Sequence, residues 1–458
     1  MTETADVPAP SAGAILRTRG VAPMLLTNLS AVLAAIIQIT ALGKVVYDLS
    51  GRDLDLGLLG LAEFAPALLL MTVSGTFADR FDRRRVIAAG LSLEVVCSLV
   101  LAWYIASGST ATTPIFGLVA VFGVGRAFVA PSLRAMPADL APDGGLPRVS
   151  AFSVACWQSA AIIGPVAAGF LYTGAAWWPF VVAAGFAALG MVLIGLTPRT
   201  VHSTTDPSLT HEAAFVDLAD EYRPAETLET LGEEQAADRH ASIDEPATTR
   251  RGRLHETFEG FRVIRRNPAL LGAISLDLFA VLFGGAVALL PAIAEKRLGV
   301  DAVGLGWLRA AGGIGAALVT ISVSARPIRR HVGPVMFGAV ATFGLFTIVL
   351  GMTRSFVIAF MAMFMLSAAD SVSVFVRSTL VPLVTPSSAR GRVMAVEGVF
   401  IGASNELGAF ESGVAGQILG TGTAVVLGGV ATLAIVGGWI LMFPVLWRFD
   451  RFPDRPPD

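Results

Sequence analysis

Nine ionisable side chains, Glu63, Glu94, Arg126, Asp277, Arg309, Asp370, Glu397, Glu406 and Glu411, stand inside stretches that are otherwise apolar, and Arg377 lies nearer the end of one. If those stretches cross a bilayer, each mid-membrane charge costs roughly 2.5 to 3.5 kcal/mol on insertion scales, so each is paired, neutralised or kept for a function. The chemistry open to such groups is ion chemistry. A buried acid can take up a proton and release it when an arginine or a substrate approaches. Asp277 and Glu406, each near the middle of its stretch, are the first candidates to carry a proton, and Arg126 is the leading basic one. Glu63, Asp370, Arg309 and Glu411 are further coupling or substrate positions. The competing reading for every acid is a permanent pair with an arginine that only ties helices together. Phe64, Phe122, Trp157, Phe279, Phe283, Phe375 and Phe400 could line a cavity for an apolar ligand, although aromatic side chains in helices more often pack.

The composition says which elements hold these residues. Of 458 residues 54% are hydrophobic and only 15% charged, which marks an integral membrane protein whose surroundings include a lipid bilayer. A net charge of −2 leaves no basic face for nucleic acid. Cys97 and Cys156 lie in apolar runs, and four of the five histidines are scattered through one polar gap, so no metal site is expected. Neither lysine, Lys44 or Lys296, sits in a phosphate-binding loop, and no Ser/His/Asp set exists. An enzyme is not expected, no cofactor is implied, and the energy must come from an ion gradient or from the substrate's own.

Twelve stretches are long enough to span about 30 Å of hydrocarbon. They run roughly over residues 22–47, 55–78, 85–107, 113–136, 147–173 and 175–197, then 268–292, 302–324, 332–352, 356–381, 391–418 and 422–446. The expected fold is all-α, twelve transmembrane helices in two pseudo-symmetric six-helix bundles. The divisions are a tail (1–20), a first bundle (21–197), an acidic linker (198–256), an interfacial helix with a second bundle (257–447) and a closing tail (448–458). The linker cannot bury apolar surface and reads as disordered. Beyond it Leu254, Phe258, Phe261 and Ile264 oppose Arg253, Arg262, Arg265 and Arg266 at helical spacing, the pattern of a helix lying in the membrane interface.

Loops after even-numbered spans carry Arg80, Arg83, Arg84, Arg85, Arg148, Arg326, Arg329, Arg330, Arg390 and Arg392, whereas the other side has only Arg52, Lys296, Arg297 and Arg354. Positive charge stays inside, so both termini and the linker are expected in the cytoplasm. No signal peptide is expected. The halves also echo each other: Arg126 to Pro142 resembles Asp370 to Pro386, placing the fourth span over the tenth.

The loop Gly75-Thr-Phe-Ala-Asp79-Arg80-Phe-Asp-Arg83-Arg84-Arg85 resembles the signature loop of the major facilitator superfamily. Its Asp79 beside arginines would make a breakable latch between two states of a rocking bundle. Arg126-Ala-Phe, Gly164-Pro165, Arg377-Ser-Thr-Leu, Arg390-Gly-Arg392 and Ser404-Asn405-Glu406-Leu-Gly408 look like the secretion-effector branch, which holds the enterobactin exporter and several multidrug and macrolide efflux pumps. The resemblance implies the major facilitator fold, the bacterial plasma membrane and a monomer. It further implies a secondary transporter exporting a siderophore or similar metabolite by proton antiport, with a broad multidrug pump as the alternative. A non-transporting sensor whose acidic linker binds a partner is a distant third reading of the residues. By the same resemblance Arg126 is linked to proton coupling.

Overall fold

The computed structural model describes residues 11–198 and 260–452, with side chains everywhere in them except at 67, 71–80 and 388. Among these residues the chain is helical and contains no strand. A short helix α1 (Ala12–Arg17) leads into six long ones: α2 (Val21–Ser50), α3 (Asp53–Arg80), α4 (Arg83–Ala106), α5 (Thr113–Leu140), α6 (Leu146–Gly174) and α7 (Trp178–Gly195). The second half has α8 (Pro268–Phe283), α9 (Ala302–Ala325), α10 (Val332–Met352), α11 (Phe356–Val384), α12 (Arg390–Leu419) and α13 (Thr421–Met442), closed by α14 (Pro444–Trp447). Ten spans are long and apolar enough to cross a membrane among the described residues. The other two long helices, α3 and α12, carry Glu63 and the trio Glu397, Glu406 and Glu411, and they pack on each other.

Short polar signals set the turns between apolar runs. Asp82 accepts a hydrogen bond from the Arg84 backbone and starts α4, Asp301 does the same for α9 through Gly304, and Asn267 caps α8 with Pro268 following it. Gly51 ends α2 at φ +62, a left-handed turn that other residues adopt reluctantly. The seventh span departs from expectation. Instead of running on through 268–292, its α-helix stops at Phe283, because Gly284-Gly285 leaves no side chain to hold the turn. It resumes as a tight 3-10 segment (Ala286–Leu289), one short α turn, and a wide π turn (Ile293–Leu298).

Each half has its own apolar interior. Val21, Met24, Ile87, Leu91, Val129 and Met136 join α2, α4 and α5, while Leu270, Ile274, Val376, Leu380 and Val393 join α8, α11 and α12. The halves meet where the second long helix of one packs on the fifth of the other: α3 on α12 and α9 on α6. A Cβ on Gly413 would stand 2.9 Å from the Gly57 Cα, and one on Gly306 would strike the Pro165 carbonyl, so both seams are backbone against backbone.

The interfacial segment is helical over 260–266, and Ile264 is buried against the second half. Residues 199–259, with the expected acidic linker and the first part of that amphipathic pattern (Arg253, Leu254 and Phe258), lie outside the described residues.

Candidate functional site

The buried charges gather into three places. The first is the seam between the halves. Glu63 on α3 lies within electrostatic reach of Arg126 on α5 and of Arg309 on α9, and Glu94 on α4 is within reach of both Arg126 and Glu63. Glu406 on α12 approaches the same place from the second half: a Cβ on Gly60 would fall 2.7 Å from its Oε2, and Glu63 feels its charge one turn further along α3. Arg309 crosses the seam too, donating from Nη1 to Thr40 Oγ1 at 3.5 Å. Five charges from both halves therefore share one region, none of them closing an ion pair with another, and Arg134 on α5 lies within electrostatic reach of Arg126.

The second place lies inside the second half alone. Arg377 on α11 pairs with Asp277 on α8 and, through Nε at 3.3 Å, with Glu397 on α12. All three are at least nine-tenths buried. Asp370, one helical level away, feels both Asp277 and Arg377. A cavity of about 10 Å³, the room of roughly one water, is lined by Asp277, Asp370 and Ser373 among apolar neighbours. Asp277 is thus held by an arginine, the competing reading that its sequence position left open.

The third place is the face opposite the one that carries the chain's ends, and sequence reasoning missed it. Lys44 on α2 pairs with Asp48 and reaches across the seam to Glu295 Oε2 at 2.9 Å, while the Tyr172 hydroxyl donates to Asp48 Oδ2 at 2.6 Å. The neighbouring Lys296 crosses the other way, to Asp53 Oδ1 at 3.0 Å, and Thr421 donates to the second oxygen of Asp53 at 2.5 Å. The signal was present: Lys44 and Lys296 are the only lysines beside 31 arginines, and both serve this lock. Lys44 sits three residues inside the expected end of its span, where an interfacial lysine draws no attention.

The remaining candidates scatter. Glu411 is half-buried on α12 and accepts only a 3.5 Å bond from its neighbour Ser412. Of the signature loop, Gly75, Asp79 and Arg80 end α3, and their side chains lie outside the described residues. Arg83 donates to Asp139 Oδ2 at 2.7 Å, and Arg84 joins Asp82 at 2.8 Å and the Thr197 carbonyl at 2.7 Å, stitching the first half at the terminal face. Hydrogen bonding from Arg84 holds the Asp82 carboxyl below the usual range.

The profile described as Major Facilitator Superfamily matches residues 24–409, spanning both halves and all three charge clusters. The chain belongs to the major facilitator superfamily. As a superfamily member it is a multi-pass transporter rather than an enzyme. One relative, Multidrug resistance protein 1 of Bacillus subtilis (strain 168), is 30% identical over 132 residues, 29% of this chain. The match spans only a third of that relative's length, 33%. Among solved structures, a POT family transporter in complex with 5-aminolevulinic acid aligns with TM-score 0.68 at 11% identity over 93% of this chain and 96% of the other. A bacterial homologue of the human lysosomal transporter Spinster aligns with TM-score 0.63 at 13% identity, covering 93% and 95%. The nucleoside transporter NupG aligns with TM-score 0.62 at 12% identity, covering 92% and 98%. At such identities these establish the fold, two six-helix bundles about a central seam.

Proposed function

We propose that this superfamily member is a proton-driven exporter of a small organic molecule in the bacterial plasma membrane, with cytoplasmic termini, working as a monomer by alternating access. The observation that carries the reading is the central cluster. Charges from both halves that no partner holds are where a moving seam can exchange one cation for another. The bundles 21–197 and 257–447 are the rocking bodies, 198–256 is the tether, and Asp79 with its arginines is the latch on the terminal face. Cross-seam hydrogen bonds among the described residues run from Gln158, at the middle of α6, to the lysine lock, which supports a state sealed away from the termini. Glu63 and Glu406 carry coupling or substrate charge, and Arg126 and Arg309 oppose them.

Three acids at the seam offer a cationic cargo its binding partners, and the relative named as a multidrug resistance protein supports a drug-like cargo. Purified protein in vesicles with an imposed pH step, followed with ethidium and an internal pH dye, tests this: ethidium moves uphill while protons move the other way. Ethidium flux indifferent to a collapsed gradient would remove proton antiport. The resemblance of Arg377-Ser-Thr-Leu, Arg390-Gly-Arg392 and Ser404 to Gly408 to the secretion-effector branch, which holds the enterobactin exporter beside multidrug pumps, gives a second reading, tested by the same vesicles with an iron-free catecholate. Catecholate export without ethidium export would favour it.

A further inference from the structure

Glu94 is the most deeply buried charge of the central cluster, 1% exposed, and neither carboxyl oxygen has a hydrogen-bond partner. Its stem lies against α5 at the residue before Arg126: a Cβ on Gly125 would stand 3.3 Å from Glu94 Cγ. On α2, the Gln38 amide nitrogen is also without a partner. Ser98 donates to the Glu94 backbone carbonyl at 2.7 Å within α4, and its hydroxyl oxygen also contacts the Gln38 amide on α2. The ionisable groups facing Glu94 are Arg126 on α5 and Glu63 on α3, with Cys97 on its own helix, while α7, the other helix packed on α4, carries none.

A bare carboxylate without donors is costly in such surroundings, which favours the neutral acid at Glu94. Resting on the proton-coupled reading above, we propose that Glu94 stores the transported proton and that Arg126 decides when it leaves.

With the seam empty, Arg126 faces Glu63 and the O–H bond of Glu94 stays intact. A cationic cargo arriving at Glu63 repels Arg126 toward Glu94, whose O–H bond breaks, the proton passing to water on the side open to the termini. After the halves rock and the cargo leaves, Arg126 returns to Glu63 and Glu94 takes a proton from water on the other side. One proton enters for each positive charge expelled.

Dicyclohexylcarbodiimide attacks neutral buried carboxyls and is read by peptide mass spectrometry without any knowledge of the natural cargo. On the full-length parent, the adduct is expected at Glu94 and should diminish when ethidium saturates the protein. Glu94→Gln, which mimics the protonated form, should bind ethidium and let it equilibrate downhill but lose roughly tenfold or more of its pH-driven accumulation. Glu94→Asp should restore driven transport with a displaced pH profile. Adducts at Glu63 or Glu406 with none at Glu94, or driven transport intact in Glu94→Gln, would overturn the assignment. If the parent itself ignores the pH step, the coupling reading fails, and the adduct map still decides where the proton resides. Should Glu94→Gln not fold, the adduct map on the parent decides alone.

Discussion

The central seam and the interior of the second half hold similar residues in opposite conditions. In the second half Arg377 grips Asp277 and Glu397 on two neighbouring helices of the same bundle. At the seam Arg126 and Arg309 stand among Glu63, Glu94 and Glu406 without closing one ion pair. A charge that is paired within a rigid body is an anchor. One left between bodies can change partner when the bodies move, and conformational change needs such differential contact. Asp277 and Glu406 look alike in sequence, yet the fold gives the first a partner in its own half and sets the second against the other half.

That contrast breaks most sharply at Arg377. Arg377→Met leaves two buried carboxylates without their cation and should destabilise the protein by about 3 to 5 kcal/mol, seen as a collapse of folded yield and melting temperature. The combined variant Asp277→Leu, Arg377→Met, Glu397→Gln should recover much of that loss. A single variant as stable as the parent would erase the distinction between anchor and moving part.

Arg309→Gln and Glu406→Gln should behave in the other way. Neither breaks a closed pair, so melting should shift by no more than about 1 kcal/mol in stability, whereas driven ethidium transport should fall roughly tenfold or more. Melting losses as large as those of Arg377→Met would make the seam an anchor as well.

The lysine lock lies between the two cases, because its pairs are formed yet cross the seam. Lys44→Glu should raise hydrogen exchange over residues 41–50 and 290–298, and adding Glu295→Lys should bring it back down. The effect is expected to be about 1 kcal/mol or less and to shrink with salt, since Glu295 is half exposed. Exchange that the second substitution fails to lower would mean that the pair does not hold the face shut.

Smallest of all is the expected effect of deleting residues 205 to 245. Insertion and transport should stay near parental levels, because about 18 residues still join the bundles and added loop length costs little. Loss of folded protein would show that this acidic stretch packs on a bundle.

The helices were legible because a bilayer imposes a local rule. About 20 apolar residues must run together, and every expected span from 22–47 to 422–446 except the seventh corresponds to one long helix. The seventh needed more attention to Gly284-Gly285, where two adjacent glycines permit the break that its hydropathy conceals. The signature loop and the resemblance of Arg126 to Pro142 to Asp370 to Pro386 were enough to reach the superfamily. They were not enough to sort the buried acids, since position along a helix says nothing about which helix faces it.

The sequence by itself determined the membrane, the helix count, the two-fold repetition and the family, all properties of residues close together in the chain or of a repeated pattern. Only the tertiary structure decided which charges are held and which are free. It brought Lys44 to Glu295, 251 positions away, and Lys296 to Asp53, 243 away, and it closed Arg377 on Asp277 across 100. It also left Glu94 with no donor at all. The physical reason is range: hydropathy acts through the lipid next to each residue, whereas the fate of a buried charge depends on whichever side chain packing sets within a few ångströms of it.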